Sequence, residues 1–172
     1  MQTFFDIEIG NKHDSFKISG RVVFEVFSKK VPKTSENFRA ICSGDHKSEL
    51  NYKGTIFSKV VKESVAQGGK MSYDLFDDLI PQKCIYGEKF EDEKIWFPHS
   101  HKGVLTTANT GPDSNDSQFF ICLASAHNLN ETNTVFGRVI SGYDFVERME
   151  GNPTGEGNMP VKDVTITNCG EL

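Results

Sequence analysis

Hydrophobic and polar residues alternate in several short stretches of the chain, which is the pattern of a half-buried β-strand. In the stretch FFDIEI, Phe5, Ile7 and Ile9 fall on one face, whereas Asp6 and Glu8 fall on the other. Five further stretches are rich in β-branched and aromatic residues and are separated by turn residues: GRVVFEVF, GVLTTAN, SQFFICLA, TVFGRVI and VKDVTITNC. This many short strands predict a barrel or a sandwich.

Two stretches have helical spacing instead. VPKTSENFRAICSG places Pro32 in a first turn and Gly44 as a stop, and SGYDFVERMEG begins with Ser141 and Asp144 in capping-box spacing and ends at Gly151. The second helix has an apolar face of three residues: Phe145, Val146 and Met149. Because the mouth of a barrel needs an apolar cover, we expect each helix to close one open end of the sheet.

Composition limits the function classes. The 172 residues predict a single domain, 1–172, and the 14 Phe predict an aromatic core. The net charge of −5 disfavours nucleic-acid binding through bulk electrostatics. No run approaches the roughly 20 apolar residues of a membrane span, and the start MQTFFDIEIG lacks the basic and apolar regions of a signal peptide. We therefore expect a cytoplasmic protein with no membrane partner.

Candidate metal ligands are few. The four cysteines have no zinc-site spacing and are expected to be reduced, structural thiols. His99 and His101 alternate as two ligands would, but a third ligand is not evident, so a solvated loop is the favoured interpretation. We predict neither a metal site nor a cofactor.

Seven collinear blocks resemble the cyclophilins, a family of peptidyl-prolyl cis-trans isomerases. The blocks are VPKTSENFRA, YKGTIF, QGG, IYGEKFEDE, ANTGPDSNDSQFFI, VFGRV and TITNCGEL. The resemblance runs nearly end to end. It implies an all-β-dominated fold, a closed eight-stranded antiparallel barrel capped by two α-helices, and proline-containing peptide or protein segments as partners.

Isomerisation of an X-Pro amide requires only that the C–N bond be twisted. The barrier of roughly 18–20 kcal/mol reflects amide resonance, whose loss leaves the prolyl nitrogen more basic. A hydrogen-bond donor aimed at that nitrogen stabilises the transition state selectively, while an apolar pocket holds the proline ring and amides hold the flanking backbone. In active cyclophilins, as the resemblance implies, an Arg supplies this donor.

The family pattern assigns roles to eleven positions of this chain. It places Lys59, Gln67, Phe120 and Asn133 at catalytic positions. It places Ser64, Val65, Ala108, Asn109, Gln118, Asn128 and Leu129 at peptide-binding positions. Five of the eleven depart from the family: Lys59 stands for Arg, Ser64 for Phe, Val65 for Met, Asn128 for Trp and Asn133 for His.

The losses remove the cationic donor and much of the apolar wall, whereas the amides that grip extended backbone remain. Lysine lacks the planar fork of arginine, so the exchange at Lys59 is not conservative. We therefore expect a domain that engages X-Pro or extended peptide segments with weak or lost isomerase activity, and, because Asn128 replaces Trp, poor cyclosporin binding. The alternative is a competent isomerase that assists protein folding with Lys59 in place of Arg.

A second alternative rests on the 70–83 loop, which replaces the glycine-rich loop of the family. Its apolar residues either form a surface for a protein partner, in a structural or assembly role, or pack back onto the barrel. They are Tyr73, Leu75, Phe76, Leu79 and Ile80.

Two further questions remain open. Some relatives carry a redox-sensitive cysteine pair at the positions of Cys42 and Cys169, which makes a disulfide a hypothesis here. Trp96 and Phe97 follow the block FEDE, and we expect them in or near the core rather than in the proline pocket.

Overall fold

The computed structural model describes residues 1–71, 83–94 and 97–172. The apolar residues Tyr73 to Ile80 of the 70–83 loop, for which a partner surface and packing onto the barrel are the two alternatives, lie outside the described residues, as does Trp96. The described residues form eight strands and two α-helices. The strands are β1 (Gln2–Ile9), β2 (Ile18–Val26), β3 (Lys59–Val61), β4 (Val65–Gly68), β5 (Val104–Thr107), β6 (Phe119–Cys122), β7 (Val135–Ser141) and β8 (Val164–Glu171). The helices are α1 (Pro32–Ser43) and α2 (Tyr143–Gly151).

The eight strands form one curled antiparallel sheet in the order β3-β4-β6-β5-β7-β2-β1-β8. Alternation fixes the register of β1, because Phe5, Ile7 and Ile9 are buried while Asp6 and Glu8 are only partly covered. A slip by one residue would turn all three apolar side chains to the opposite face. The β-dominated fold with two helices is confirmed.

The barrel is not fully closed, since no continuous ladder joins β3 to β8 among the described residues. The segment just before β3 makes this contact instead. Ile56 forms an isolated bridge with Thr165, and the backbone N–H of Phe57 donates to the Val164 carbonyl at 2.8 Å. A few hydrogen bonds thus join the segment before β3 to β8, and we call this junction the seam. Every other pair of neighbouring strands shares a ladder.

The stretch FSKVVKESVAQGG, which is not among the six strand-like stretches of the sequence analysis, forms a β-hairpin of β3 and β4. Residues 62–64 make the turn, with Glu63 at a positive φ of 59° and the N–H of Ser64 donating to the Val61 carbonyl at 3.0 Å. The hairpin has no clear local signal, because its polar turn is only three residues long and contains neither Gly nor Pro. The hairpin supplies the two strands missing from the sequence prediction.

Both helices lie where the sequence predicts them. Helix α1 starts at Pro32 and ends before Gly44, which has φ 68°. In helix α2 the predicted capping box is wrong, because Ser141 ends β7 and the N-cap is Gly142, with no side-chain cap hydrogen bond. No helix in residues 1–71, 83–94 and 97–172 combines the length and apolar character that crossing a membrane requires.

Aromatic rings fill the interior of the barrel, as the sequence predicts. The ring centroids of Phe5 and Phe24 are 5.0 Å apart, and those of Phe38 and Phe136 are 5.1 Å apart. Eight buried rings of the described residues share this cluster: Phe5, Phe24, Phe38, Tyr52, Phe57, Phe119, Phe136 and Phe145. Helix α1 contributes Phe38, and helix α2 contributes its predicted apolar face, Phe145, Val146 and Met149. The helices therefore bury their apolar sides in the core of the sheet.

Candidate functional site

Strand register places the candidate site on the outer face of the sheet. One row of directly paired residues, Val60, Ala66, Ile121 and Leu105, is buried in the main core. Side chains alternate along each strand, so the neighbouring row points outward. That outward row contains Lys59, Gln67, Phe120 and Thr106. Three of the four predicted catalytic residues therefore lie side by side on one surface.

Two glycines close the hairpin next to this row. Gly69 has φ +86°, and a Cβ there would lie 2.5 Å from the Ser117 carbonyl oxygen. The hydroxyl of Ser117 donates to the Gly69 carbonyl at 2.6 Å. The Gln-Gly-Gly block is thus explained by close packing of the β4 end against the loop before β6, a position where only glycine fits without strain.

Amide side chains connect the row to that loop. Gln67 Nε2 donates to Gln118 Oε1 at 3.0 Å, and the backbone N–H of Ala108 donates to the Gln118 carbonyl at 3.1 Å. Asn109 Nδ2 donates to the Thr132 carbonyl at 2.8 Å and so links this loop to the loop before β7. The amides form a positioned platform of the kind that can hold peptide backbone.

A groove of about 430 Å³ lies over this platform. It contains five of the predicted site residues: Gln67, Ala108, Asn109, Gln118 and Phe120. Its remaining wall consists of Lys83, Lys89, Thr110, Ser114 and Asp116. These five were missed by the sequence analysis. For Asp116 a signal was present, since it stands two residues before Gln118 in the block SNDSQFF.

Asp116 is a carboxylate held at the groove by local hydrogen bonds. Its Oδ1 accepts from the backbone N–H of Gln118 at 2.8 Å, and its Oδ2 accepts from Gln118 Nε2 at 3.3 Å. Burial raises the pKa of Asp116, whereas these hydrogen bonds and the charges of Lys83 and Lys89 act in the opposite direction. The burial effect dominates.

The residues at the family's Arg, Phe and Met positions are arranged less favourably. Lys59 is exposed, and Ser64 lies half-buried in the hairpin turn, where its carbonyl accepts from the N–H of Leu123 at 2.8 Å. Val65 packs against a second apolar cluster, composed of Val104, Cys122, Ala126 and Val135. None of the three lines the groove described above.

The distant segment contributes Leu129 and Asn133 in different ways. Leu129 ends the 3₁₀ turn His127–Leu129 and packs on the same second cluster as Val65, while Asn128 in that turn is exposed. Asn133 is buried; its Nδ2 donates to the Thr107 carbonyl at 2.8 Å and its Oδ1 accepts from the Thr132 hydroxyl. The Asn133 amide therefore fastens its own loop to β5.

The structure corrects the expectation of a solvated loop at His99. This side chain is fully buried, with Nδ1 2.9 Å from Asn130 Oδ1 and Nε2 2.9 Å from Thr106 Oγ1. His101 is exposed, as predicted. Both ring nitrogens of His99 have protein partners, and no cluster of metal-ligating side chains occurs in the described part of the chain.

Phe97 and the cysteines complete the surroundings of the site. Phe97 packs edge-to-face on Phe27 with centroids 5.9 Å apart and packs against the second cluster, as the core interpretation predicts. Cys42 and Cys169 are both free thiols in this structure, and Cys169 Sγ lies 3.1 Å from Asn51 Oδ1.

Comparison with known proteins agrees with this architecture. Residues 4–171 match the family model described as cyclophilin type peptidyl-prolyl cis-trans isomerase/CLD. The chain therefore belongs to the cyclophilin-type family. A curated relative, the peptidyl-prolyl cis-trans isomerase cyp11 of Rhizopus delemar, is 40% identical over 178 residues. The alignment covers 99% of this chain and 50% of the relative, so the chain spans about half the length of the curated relative it matches.

Proposed function

We propose that this chain is a cyclophilin-type domain that binds X-Pro or extended peptide segments and has weak or no isomerase activity. The observation that carries the proposal is the contrast within one surface. The amide platform of Gln67, Asn109 and Gln118 lines a groove beside Phe120, whereas Lys59 is exposed at the edge of the same row. The groups that hold backbone are retained, and the group that would act on the prolyl nitrogen is changed.

Magnitudes support a larger loss in catalysis than in binding. Removal of one well-placed transition-state donor typically costs about 10²–10³ in rate. Lys59 retains a charge but cannot bond Gln67 and aim a second N–H in fixed geometry, as a guanidinium does. Because Val65 packs into the second cluster and Ser64 is polar, the wall that would hold a proline ring is also reduced.

A competent isomerase is the second candidate. It is favoured by the 40% identity to a protein named as a peptidyl-prolyl cis-trans isomerase and by the position of Lys59 directly opposite Gln67. In this version Lys59 donates to the prolyl nitrogen as a single positive donor. A structural or assembly role for the 70–83 loop remains a prediction, since most of that loop lies outside the described residues.

Exchange spectroscopy on an Ala-Pro peptide separates the first two candidates. We expect binding shifts at the groove without faster cis/trans interconversion at substoichiometric protein. Acceleration by the unaltered chain would refute the inactive proposal and support the competent isomerase.

A gain-of-function variant tests the same proposal from the other side. Lys59→Arg combined with Ser64→Phe, Val65→Met and Asn133→His should raise the exchange rate by about 10²-fold or more, because the donor and the apolar wall are restored together. Asn133→His alone is the matched control and should give no gain. A combined variant that folds, binds the peptide and remains inactive would contradict our assignment of the lost activity to these positions.

The remaining assignments are also proposals. A single domain over 1–172 is supported by the core cluster, which includes Phe5 from β1 and Ile166 from β8. A cytoplasmic location is supported by the four cysteines, all of which are free thiols. The net charge of −5 supports the absence of a nucleic-acid partner. Poor cyclosporin binding is supported by the exposed, polar Asn128 at the family's Trp position.

A further inference from the structure

The groove carries charged groups that the peptide-binding proposal does not use. Asp116 is half-buried in its wall, Lys83 is half-buried and Lys89 is exposed. The three residues lie around the same space as Gln67 and Phe120, so a peptide held by the platform would present one side chain to them. The sign of that side chain depends on which of the three charges governs the pocket.

Asp116 is fixed from several directions. Beyond the bonds to Gln118, its carbonyl accepts from Asn37 Nδ2 at 3.0 Å, and Asn37 is a buried residue of helix α1. The next carbonyl, that of Ser117, accepts from the hydroxyl of the buried Tyr52 at 2.7 Å. On the N-terminal side, the Asn115 carbonyl accepts from the backbone N–H of the buried Phe90 at 2.9 Å. The backbone on both sides of the Asp116 Cα is therefore tied to buried residues, and the carboxylate cannot retreat from an incoming group.

The two lysines differ from Asp116 in this respect. A lysine ammonium sits on a flexible four-carbon stem. Neither Lys83 nor Lys89 forms an ion pair with a carboxylate of the described residues. Lys89 is exposed and can move its charge toward solvent at little cost when a cation enters, because exposed charges interact weakly through water. Lys83 is half-buried, but its ammonium group can shift on the same flexible stem. The immovable charge, rather than the larger number of charges, sets the preference.

Asp116 also has unused acceptor capacity. An ionised carboxylate has about four lone-pair sites, and two hydrogen bonds from Gln118 are described here. A guanidinium or ammonium entering the groove would form a charge-assisted hydrogen bond with it. A carboxylate entering instead would meet a like charge that cannot move away.

We propose that Asp116 makes this groove selective for a basic side chain, arginine above all, on the peptide segment N-terminal to the proline. The inference rests on the proposed function, because it assumes that the platform holds a peptide. It names Asp116 as a specificity-determining residue and leaves any chemistry at the prolyl nitrogen to other groups.

The test uses a set of Ala-Pro peptides in which Arg, Gln or Glu occupies the first, second or third position before the proline. Affinities are measured by NMR titration, with the Gln67 and Gln118 side-chain amides as reporters of the groove. At one of the three positions we expect Arg to bind about tenfold or more tightly than Glu, with Gln between them.

Two variants identify the origin of the preference. Asp116→Asn keeps the shape and the acceptor for the Gln118 N–H, and should reduce the Arg/Glu affinity ratio to about two or below. Asp113→Asn is the matched control: it removes the same charge from an exposed residue of the same loop that does not line the groove, and should keep the ratio.

The outcomes are distinct. Equal affinities for Arg and Glu peptides at all three positions, or a ratio unchanged by Asp116→Asn, would overturn the inference and leave the proposed function standing. Preference for Glu would show that Lys83 and Lys89 govern the pocket and would also overturn it. Failure of every peptide to bind, the neutral Gln peptides included, would overturn the proposed function and the inference together.

Discussion

At the scale of single residues, His99 is a titratable side chain enclosed between two hydrogen-bond partners. Asn130 Oδ1 faces one ring nitrogen and Thr106 Oγ1 faces the other. Burial lowers the pKa of His99 below its ordinary value of 6.5, against the opposing effect of the Asn130 hydrogen bond. The ring of His99 is therefore neutral in the native state. Its hydrogen bond with Asn130 joins the segment before β5 to the loop that carries Leu129.

This burial predicts a pH-dependent contribution to stability. Between the lowered pKa of the folded state and the ordinary 6.5, the unfolded chain binds more protons at His99 than the native chain. The contribution of His99 is thus complete above pH 6.5 and is lost as the pH falls from there through the folded-state pKa. His99→Gln should cost about 1–3 kcal/mol of unfolding free energy near neutral pH, and less in acid.

Urea unfolding at about pH 7.5 and about pH 5 measures this difference for the wild type and the variant. His101→Gln is the matched control, since His101 is exposed, and should stay within about 0.5 kcal/mol of the wild type at both pH values. A cost of His99→Gln that is the same at both values would contradict the assignment of a neutral, buried ring.

Residue roles were predictable to different extents. Gln67, Gln118 and Phe120 could be placed from their motifs, because strand pairing keeps motif residues on one surface. The orientation of Asn133 could not, since a short amide finds its partners in the backbone of a strand that is distant in sequence. For His99 the alternating His-Ser-His pattern gave no sign of burial, because its partners Thr106 and Asn130 lie on separate segments.

At the scale of elements, the junction between β7 and α2 depends on one glycine. Gly142 has φ +81°, and a Cβ there would lie 2.0 Å from the carbonyl oxygen of Arg21 in β2. Backbone cannot yield as a flexible side chain does. The close approach of this turn to β2 therefore requires glycine. Gly142, and not the predicted Ser141, is thus the N-cap residue of helix α2.

Gly142→Ala should lower the free energy of unfolding by about 2 kcal/mol or more, because it combines an unfavourable φ with a backbone clash. Gly151→Ala is the matched control: it lies at the other end of the same helix, and a Cβ there meets nothing within 4 Å. It should change stability by less than about 1 kcal/mol, in the stabilising direction. Equal urea midpoints for the two variants would refute the requirement for glycine at 142.

Helices and hairpins were unequally predictable for a physical reason. Helix α1 has strong local signals at both ends, Pro32 and Gly44, that do not depend on tertiary contacts. The β3–β4 hairpin has none, because its turn is stabilised from outside: the N–H of Glu63 donates to Glu150 Oε2 of helix α2 at 2.7 Å. A local sequence pattern cannot indicate contacts of this kind, because the two partners are remote in sequence.

At the scale of the whole molecule, the core and the overlying site use opposite faces of the same strands. Rings such as Phe5, Phe38 and Phe119 fill the inner face, while Phe120, the neighbour of Phe119, faces the groove. Because successive side chains of a strand point to opposite faces, a strand at SQFFICLA predicts this division, but the seam at Ile56 and Thr165 was not predictable. Closure of a sheet is set by shear and strand tilt, which single strands do not encode.

The packing of the whole molecule also limits the access of solvent and reagents to the four cysteines. Cys42, Cys84 and Cys122 are buried and Cys169 is half-buried. Burial raises the pKa of every one of these thiols, that of Cys122 to about 12 and that of Cys169 to about 11. Since the thiolate is the reactive form, a rise from 9.0 to about 11 at Cys169 cuts its reactive fraction near pH 8 about a hundredfold.

We therefore expect all four thiols of the native protein to react slowly with a thiol reagent near pH 8, and all four to react rapidly in denaturant. Mild oxidation of the native protein should leave its mass unchanged, without a Cys42–Cys169 link. Cys169→Ser removes the most accessible thiol and should leave the slow native reaction of the other three unaltered. Rapid loss of two thiols together from the native wild type, prevented by Cys169→Ser, would instead establish a redox-sensitive pair. The reaction would then show local opening of β8, which carries Cys169, rather than global unfolding.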